Sequence, residues 1–301
     1  MLNDKVILIT GAGGGIGRDF ALQCAAYGAK VIVNDIGAAV DGSGGSAGPA
    51  QQVVDEIKAA GGTAVANTDN VADPQGGQRM IDAALHAFGK LDGVINNAGI
   101  LRDRFFHKMS FDEWDAVIKV HLYGTYHVSR AAATLFKEQG HGTFVHMTST
   151  SGLIGNFGQA NYAAAKMGIA ALSKSIAIDM EKFGVRSNCI SPFAWSRMIG
   201  SIPVETEAQK ARVEKIKQMT PAKIAPLAVY LMSDAAREVT GQIFAVRNNE
   251  IFLMSQPRPI RSVQRSDGWT PQSIADHAMP SLKAGFYDLD KSGDVFFWDP
   301  V

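Results

Sequence analysis

The sequence predicts an α/β fold, a doubly wound parallel sheet of about seven strands with helices on both faces. Three observations predict it. Short β-branched runs alternate with longer helical patterns along the 301 residues, the signature of repeated strand-helix-strand units. A glycine-rich turn, Gly11-Ala-Gly-Gly-Gly-Ile16-Gly17, follows the first run at once. Hydrophobic residues make up 46% of the chain, enough to bury one large core or two small ones.

The first strand, Val6 to Thr10, runs into the glycine turn, and a helix follows from Arg18 to Tyr27. Glycine there lets backbone approach a pyrophosphate at a helix N-terminus, so Gly11, Gly15, Ile16 and Gly17 form a candidate dinucleotide cradle. The second strand, Lys30 to Asn34, ends at Asp35, eighteen residues after Gly17. A carboxylate at that place can accept both adenosine ribose hydroxyls and repels a 2′-phosphate, and no arginine follows to receive one. This favours NAD over NADP, with a solvated turn aspartate as the alternative. The glycine/serine loop Gly37 to Gly48 predicts mobility by composition rather than a fixed role. Helices at 51–60 and 74–88 then alternate with strands at 63–67 and 93–96. A long helix, Phe111 to Phe136, precedes a strand at 143–148, a second long helix, Asn161 to Phe183, and strands at 186–190 and 242–247. Right-handed crossovers then place ligands beyond the carboxyl ends of the strands.

Ser149 stands thirteen residues before Tyr162, and Lys166 four after it. Positions i and i+4 share a helix face, so Lys166 can lie beside the Tyr162 hydroxyl. An ammonium there favours the phenolate and would pull the tyrosine down from about 10 toward working pH, making a general acid/base. Ser149, at the end of a strand, can offer its hydroxyl to an alcohol or carbonyl oxygen. A tyrosine and a lysine at this spacing alone are a common accident of helices. A nucleotide-sensing scaffold without chemistry is the competing class, and it has no use for an acid/base triad.

Lysine plus arginine and aspartate plus glutamate each total 29, giving a formal net charge of zero. No basic cluster offers a footprint for nucleic acid or a membrane surface. The two cysteines, Cys24 and Cys189, sit in apolar segments, as expected of buried thiols in a reducing compartment. With no apolar run near 18 residues and no signal peptide at the start, the expectation is a cytoplasmic protein. No cysteine cluster suggests a metal, and histidines 86, 107, 127, 141, 146 and 277 show no ligand spacing.

The glycine turn, Asn96-Asn97-Ala98-Gly99 after the fourth strand, and Ser149, Tyr162 and Lys166 in register resemble the classical short-chain dehydrogenase/reductases, which have a Rossmann-type fold. The resemblance covers residues 4 to 250 or so. Asn34-Asp35, residues 97–104, Val120-His121-Leu122, residues 155–162 and Ser196-Arg197-Met198 resemble one branch more specifically. That branch is the (3R)-hydroxyacyl-CoA dehydrogenase modules of peroxisomal multifunctional enzymes, also described as 17β-hydroxysteroid dehydrogenases. The resemblance implies an NAD-dependent enzyme interconverting a secondary alcohol and a ketone, first of all a (3R)-hydroxyacyl-CoA and its 3-oxoacyl-CoA. A hydroxysteroid dehydrogenase and an NADPH-linked 3-oxoacyl-thioester reductase are the alternatives. It also implies that Gly11, Gly15 and Gly17 hold the pyrophosphate, Asp35 the adenosine ribose, Asn70 and Val71 the adenine edge, and Asn97, Ala98 and Gly99 the middle of the cofactor. Lys166 would hold the nicotinamide ribose, Ser149 the reacting oxygen, and Tyr162 would move the proton. Two departures stand out: His121 replaces the asparagine that holds a relay water in most of the family, and Phe193 replaces the usual glycine after Pro192. Ser196 is then the nicotinamide-amide contact. Phe157 and Met198, Ile199, Ile202 and Met219 are candidates for the lid and wall of an acyl site. The run Arg102-Asp103-Arg104 reads as a self-paired charge run or a subunit contact in preference to a CoA-phosphate patch.

Residues 1–250 are expected to form the cofactor-binding and catalytic domain, and 251–301 a C-terminal extension packed on it or on a second subunit. Trp269, Phe286, Tyr287, Phe296, Phe297 and Trp298 make that tail too aromatic to stay disordered. Asp288, Asp290, Ser292, Gly293, Val295 and Asp299 match an EF-hand loop at positions one, three, five, six, eight and twelve, but no exiting helix follows. A tight turn between two aromatic strands is the expectation there. In the second long helix, Ile169, Leu172 and Ile176 form a stripe that can face the sheet. Ala170, Ala171, Ala177 and Ile178 lie elsewhere on its circumference, as in a helix covered on two sides. A homodimer or homotetramer is therefore expected.

Overall fold

The computed structural model describes residues 1–194, 206 and 213–301. Among the described residues, eight strands form one sheet in the order β3-β2-β1-β4-β5-β6-β7-β8. They are β1 (Val6–Thr10), β2 (Lys30–Asn34), β3 (Thr63–Asn67), β4 (Gly93–Asn96), β5 (Gly142–Met147), β6 (Val185–Phe193), β7 (Ile243–Arg247) and β8 (Glu250–Leu253). The first seven pair in parallel and β8 is antiparallel to β7. The eighth strand exceeds the seven expected. It arises because Asn248, at φ +56°, turns the chain straight back along β7, a left-handed conformation that asparagine tolerates.

Side chains alternate across the sheet. Ile7, Ile9, Val31, Val33, Ile95, Val145 and Ile190 enter the core beneath α1 (Gly15–Ala26) and α2 (Gly48–Ala59), while Val6, Leu8, Ile32, Val94 and Phe144 enter the other. That second core lies under α3 (Gly76–Phe88) and α5 (Gly124–Gln139). Every residue of β1, β4 and β5 is buried, as a parallel sheet covered on both faces requires. Strand order reverses between β1 and β4, so a crevice opens beyond Thr10 and Asn96, where open α/β sheets bind ligands.

The expected helix Phe111–Phe136 is interrupted. It comprises α4 (Phe111–Ile118), started by a Ser110–Glu113 capping box, then one π-helical stretch over Lys119–Tyr123, then α5. Next come α6 (Thr150–Leu153), α7 (Ala160–Met180) and, nearer the C-terminus, α8 (Ala225–Met232). In α7 the inward stripe is Ala165, Ile169, Ala170, Ser173 and Ala177, while Leu172 and Ile176 are half-buried. The sheet face is thus rotated from the expected one: Ala170 and Ala177 turn inward, leaving Met167, Ala171 and Ile178 exposed.

In the tail, Phe296 is buried against Phe193 and Phe252, with ring centroids 4.9 and 5.2 Å apart. Arg247, 4% exposed, bonds the carbonyls of Phe296 and Trp298 and pairs with Glu250 at 2.8 Å. Phe286, Tyr287 and Phe297 stay exposed. No turn between aromatic strands forms; residues Ser292–Val295 make a single helical turn. Asp294 accepts from the Lys291 backbone N–H, and Asp299 pairs with Lys215, so two of the acidic groups of the EF-hand-like string serve local contacts instead. No described helix is long and apolar enough to cross a membrane.

Candidate active site

A cavity of about 500 Å³ opens at the crevice. Gly11, Gly15, Ile16, Asp35, Asn70, Val71, Asn97, Ala98, Gly99, His121, Tyr162 and Lys166 all line it. Gly17 stands behind its wall. A Cβ on Gly17 would lie 2.1 Å from the Gly11 carbonyl oxygen, and one on Gly11, at φ +63°, would lie 2.7 Å from the Ala98 Cα. The turn therefore needs glycine at both places, and its close backbone approach suits a pyrophosphate. Asn97 joins the turn to β4: its Nδ2 donates to the carbonyls of Thr10 and Gly11 at 3.1 and 2.9 Å. Thr10 Oγ1 accepts from the N–H groups of Asn97 and Ala98, a contact that no motif in the sequence singles out.

Asp35 accepts from the Gly13 N–H at 2.8 Å and the Gly37 N–H at 2.7 Å, one on each carboxylate oxygen. Each oxygen keeps a further lone pair for a hydroxyl donor. Asn34 holds Asn67 and the Asp69 carbonyl, and Asn70 caps its own turn through Ala72. The glycine/serine loop takes a larger part than its composition suggests. Ala38, Ala39, Val40 and Gly42 line the cavity, and Leu101 N–H and Arg102 Nε donate to the carbonyls of Val40 and Asp41. Arg104 pairs with Glu113 rather than with Asp103.

Ser149 caps α6, its Oγ accepting from the Ser151 N–H at 3.1 Å. It does not line the cavity, yet its hydroxyl stands near enough to the Tyr162 phenol to favour the phenolate. Lys166 lies under the Tyr162 ring, 5.4 Å from its centroid, and donates to the Met147 carbonyl at 2.6 Å. Burial pushes Lys166 down to about 7. The expected lowering of Tyr162 is not found: burial raises its pKa, and the Ser149 hydrogen bond only partly opposes that. The reason is geometric, because the ammonium is directed at the Met147 carbonyl and its own charge is weakened by burial.

His121 comes from the π-helical stretch and meets Tyr162 edge-on, with centroids 5.2 Å apart and planes at 89°. Its Nε2 lies 2.7 Å from the Ile100 carbonyl oxygen, and its buried Nδ1 has no protein partner. Burial, with Lys166 close by, pushes it down to about 3, so the ring is neutral. Phe157 is 74% exposed, outside the cavity, with Lys291 over its ring. Met219 lines a smaller cavity of about 150 Å³ with Phe193, Arg247, Phe296 and Trp298. Ser196, Met198, Ile199 and Ile202 lie outside the described residues.

The family model for short chain dehydrogenases matches residues 5–198. A short-chain type dehydrogenase/reductase of Mycobacterium tuberculosis is 49% identical over 77% of this chain and 79% of its own. The chain belongs to the short-chain dehydrogenase family and is an oxidoreductase of that class. Within the family it resembles peroxisomal multifunctional enzyme type 2 of Mus musculus, 42% identical over 91% of this chain but only 36% of that enzyme. It therefore matches one part of that longer protein. A hydroxyacyl-CoA dehydrogenase of M. tuberculosis is 39% identical over 91% of this chain and 87% of its own. The crystal structure of a short chain dehydrogenase from Mycobacterium avium superposes with a TM-score of 0.83 at 39% identity, covering 95% and 97% of the two chains. The family implies a nicotinamide cofactor, and the glycine turn, with no room for Cβ atoms at Gly11 and Gly17, fits one.

Proposed function

We propose that the protein is an NAD-dependent dehydrogenase that interconverts a (3R)-hydroxyacyl-CoA and its 3-oxoacyl-CoA. The observation that carries this reading is the pairing of Tyr162 and Lys166 in the wall of a cavity that the glycine turn also lines, with Ser149 beside the tyrosine. Ser149 directs its hydroxyl at the reacting oxygen and Tyr162 takes or gives the proton there. Lys166, anchored on Met147, lies under the tyrosine ring and walls the cavity beneath it. His121, neutral and held at Ile100, packs the tyrosine ring edge-on and keeps its orientation. The bound cofactor supplies the hydride acceptor. Gly11, Gly15, Ile16 and Gly17 would hold its pyrophosphate, Asp35 its adenosine ribose, Asn70 and Val71 its adenine, and Asn97, Ala98 and Gly99 its middle.

Support for NAD comes from Asp35, whose two oxygens are fixed by backbone N–H groups at the edge of the cavity. Residues 1–250 form the working domain and 251–301 an extension upon it. Met167, Ala171 and Ile178, exposed on α7, support a homo-oligomer. Two buried free cysteines fit the reducing cytoplasm. Turnover of (3R)-hydroxyacyl-CoA and hydroxysteroid panels with NAD and NADP tests the reading. Faster reduction of NAD with the thioesters supports it; preference for a steroid or for NADPH-linked reduction replaces it with that activity.

A further inference from the structure

Three consecutive residues of the C-terminal tail meet three consecutive residues beside the catalytic serine. A Cβ on Gly155 would lie 3.5 Å from the Asp290 carbonyl oxygen, and the Lys291 ammonium stands 5.3 Å from the Phe157 ring centroid. Between them, the Ser292 N–H and hydroxyl donate to the Gly155 carbonyl at 3.0 and 3.2 Å. Ser292 Oγ also accepts from Asn156 Nδ2 at 3.1 Å, across 136 positions of the chain. The same Nδ2 donates to Ser151 Oγ at 2.9 Å, and the Ser151 N–H donates to Ser149 Oγ. Hydrogen bonds through the Asn156 amide and the side chain and backbone of Ser151 thus link Ser292 to Ser149.

We propose that Ser292 is a positioning residue for the catalytic serine, acting through Asn156 and Ser151. The proposal rests on the roles given above to Ser149 and Tyr162. The linked groups divide the work by geometry. With one lone pair of Ser149 Oγ held by the Ser151 N–H, the hydroxyl proton and the remaining lone pair are aimed at Tyr162 and the reacting oxygen. Ser151 is itself fixed from two sides, by Asn156 and by Gln159 Oε1 at 2.8 Å, and Gln159 continues to Asp103. Ser292 is 7% exposed, so water competes poorly for its contacts. Remove its hydroxyl and Asn156 keeps only Ser151, while the loop keeps a single bond from the Ser292 N–H. Ser149 then wanders from its aim although cofactor contacts stay in place.

Two variants test this in the full-length chain: Ser292→Ala, and Asn156→Ala at an exposed position that folding tolerates. Each is expected to lower kcat for alcohol oxidation about tenfold, the order of one lost hydrogen bond, with NAD affinity unchanged and Tm lowered by only about 2–4 °C. Because the Ser149 bond lowers the Tyr162 pKa, its loosening should also move the ascending limb of the kcat/KM profile to higher pH. Ser292→Thr, which keeps the hydroxyl, should restore kcat. Hydrogen exchange of the amides at 154–159 should quicken in both alanine variants, a readout independent of turnover. Wild-type kcat with an unmoved limb, or unchanged exchange at 154–159, overturns the proposal. A wild-type chain that turns over no alcohol, yet shows the faster exchange in the variants, overturns the functional reading while the strap to Ser149 stands.

Discussion

At the scale of single residues, Tyr162 and Asp35 carry the clearest consequences. Tyr162 is raised by burial, so oxidation, which needs the phenolate, should climb on the alkaline side of neutrality. Reduction, which needs the phenol, should persist through neutral pH. Rate profiles in both directions check this, and an oxidation profile falling above pH 8 or so would contradict it. Asp35→Ser should move the NAD-to-NADP preference by about tenfold or more, read from Kd values for both cofactors. It should also lower Tm, because the Gly13 and Gly37 N–H groups lose their acceptor. That Lys166 lies against Tyr162 was legible in the sequence, because positions four apart share a helix face. Its protonation was not, since the decisive terms are burial and the Met147 carbonyl, which no spacing encodes.

At the scale of elements, the glycine turn and strands β1 to β7 follow from local pattern, whereas two features depend on contacts distant in sequence. One is the π-helical stretch, invisible in an unbroken amphipathic pattern from Phe111 to Phe136, which turns His121 inward between Ile100 and Tyr162. The other is β8 with the tail, ordered by Arg247 and a cluster around Phe296 that only the folded chain assembles. The first feature predicts the effect of Gly99→Ala. Its Cβ would stand 2.3 Å from His121 Cε1, so the ring or the exit of β4 must shift. A loss of about 1–3 kcal/mol in denaturant unfolding is expected, with activity falling alongside. Unchanged stability would mean that the π-helical stretch yields freely.

At the scale of the whole molecule, two buried neutral histidines shape the pH dependence of folding. His121 and His146 are each pushed down from 6.5 to about 3, chiefly by burial. Below pH 6.5 the unfolded chain takes up protons that the folded chain refuses, so stability falls from there to about pH 3. Lys166 adds a second limb of the same sign: lowered from 10.5 to about 7, it lets stability rise with pH between those values. His146→Asn should flatten the acid limb, as Tm measured between pH 4 and 7 will show. A scattering mass near one 32.1 kDa chain at micromolar concentration would refute the proposed oligomer. The most direct test of the account is the turnover of Tyr162→Phe with NAD and a (3R)-hydroxyacyl-CoA, measured beside NAD affinity. The account predicts that kcat drops by about a thousandfold or more while NAD binds as in the wild type; a variant retaining a tenth of wild-type kcat would contradict it.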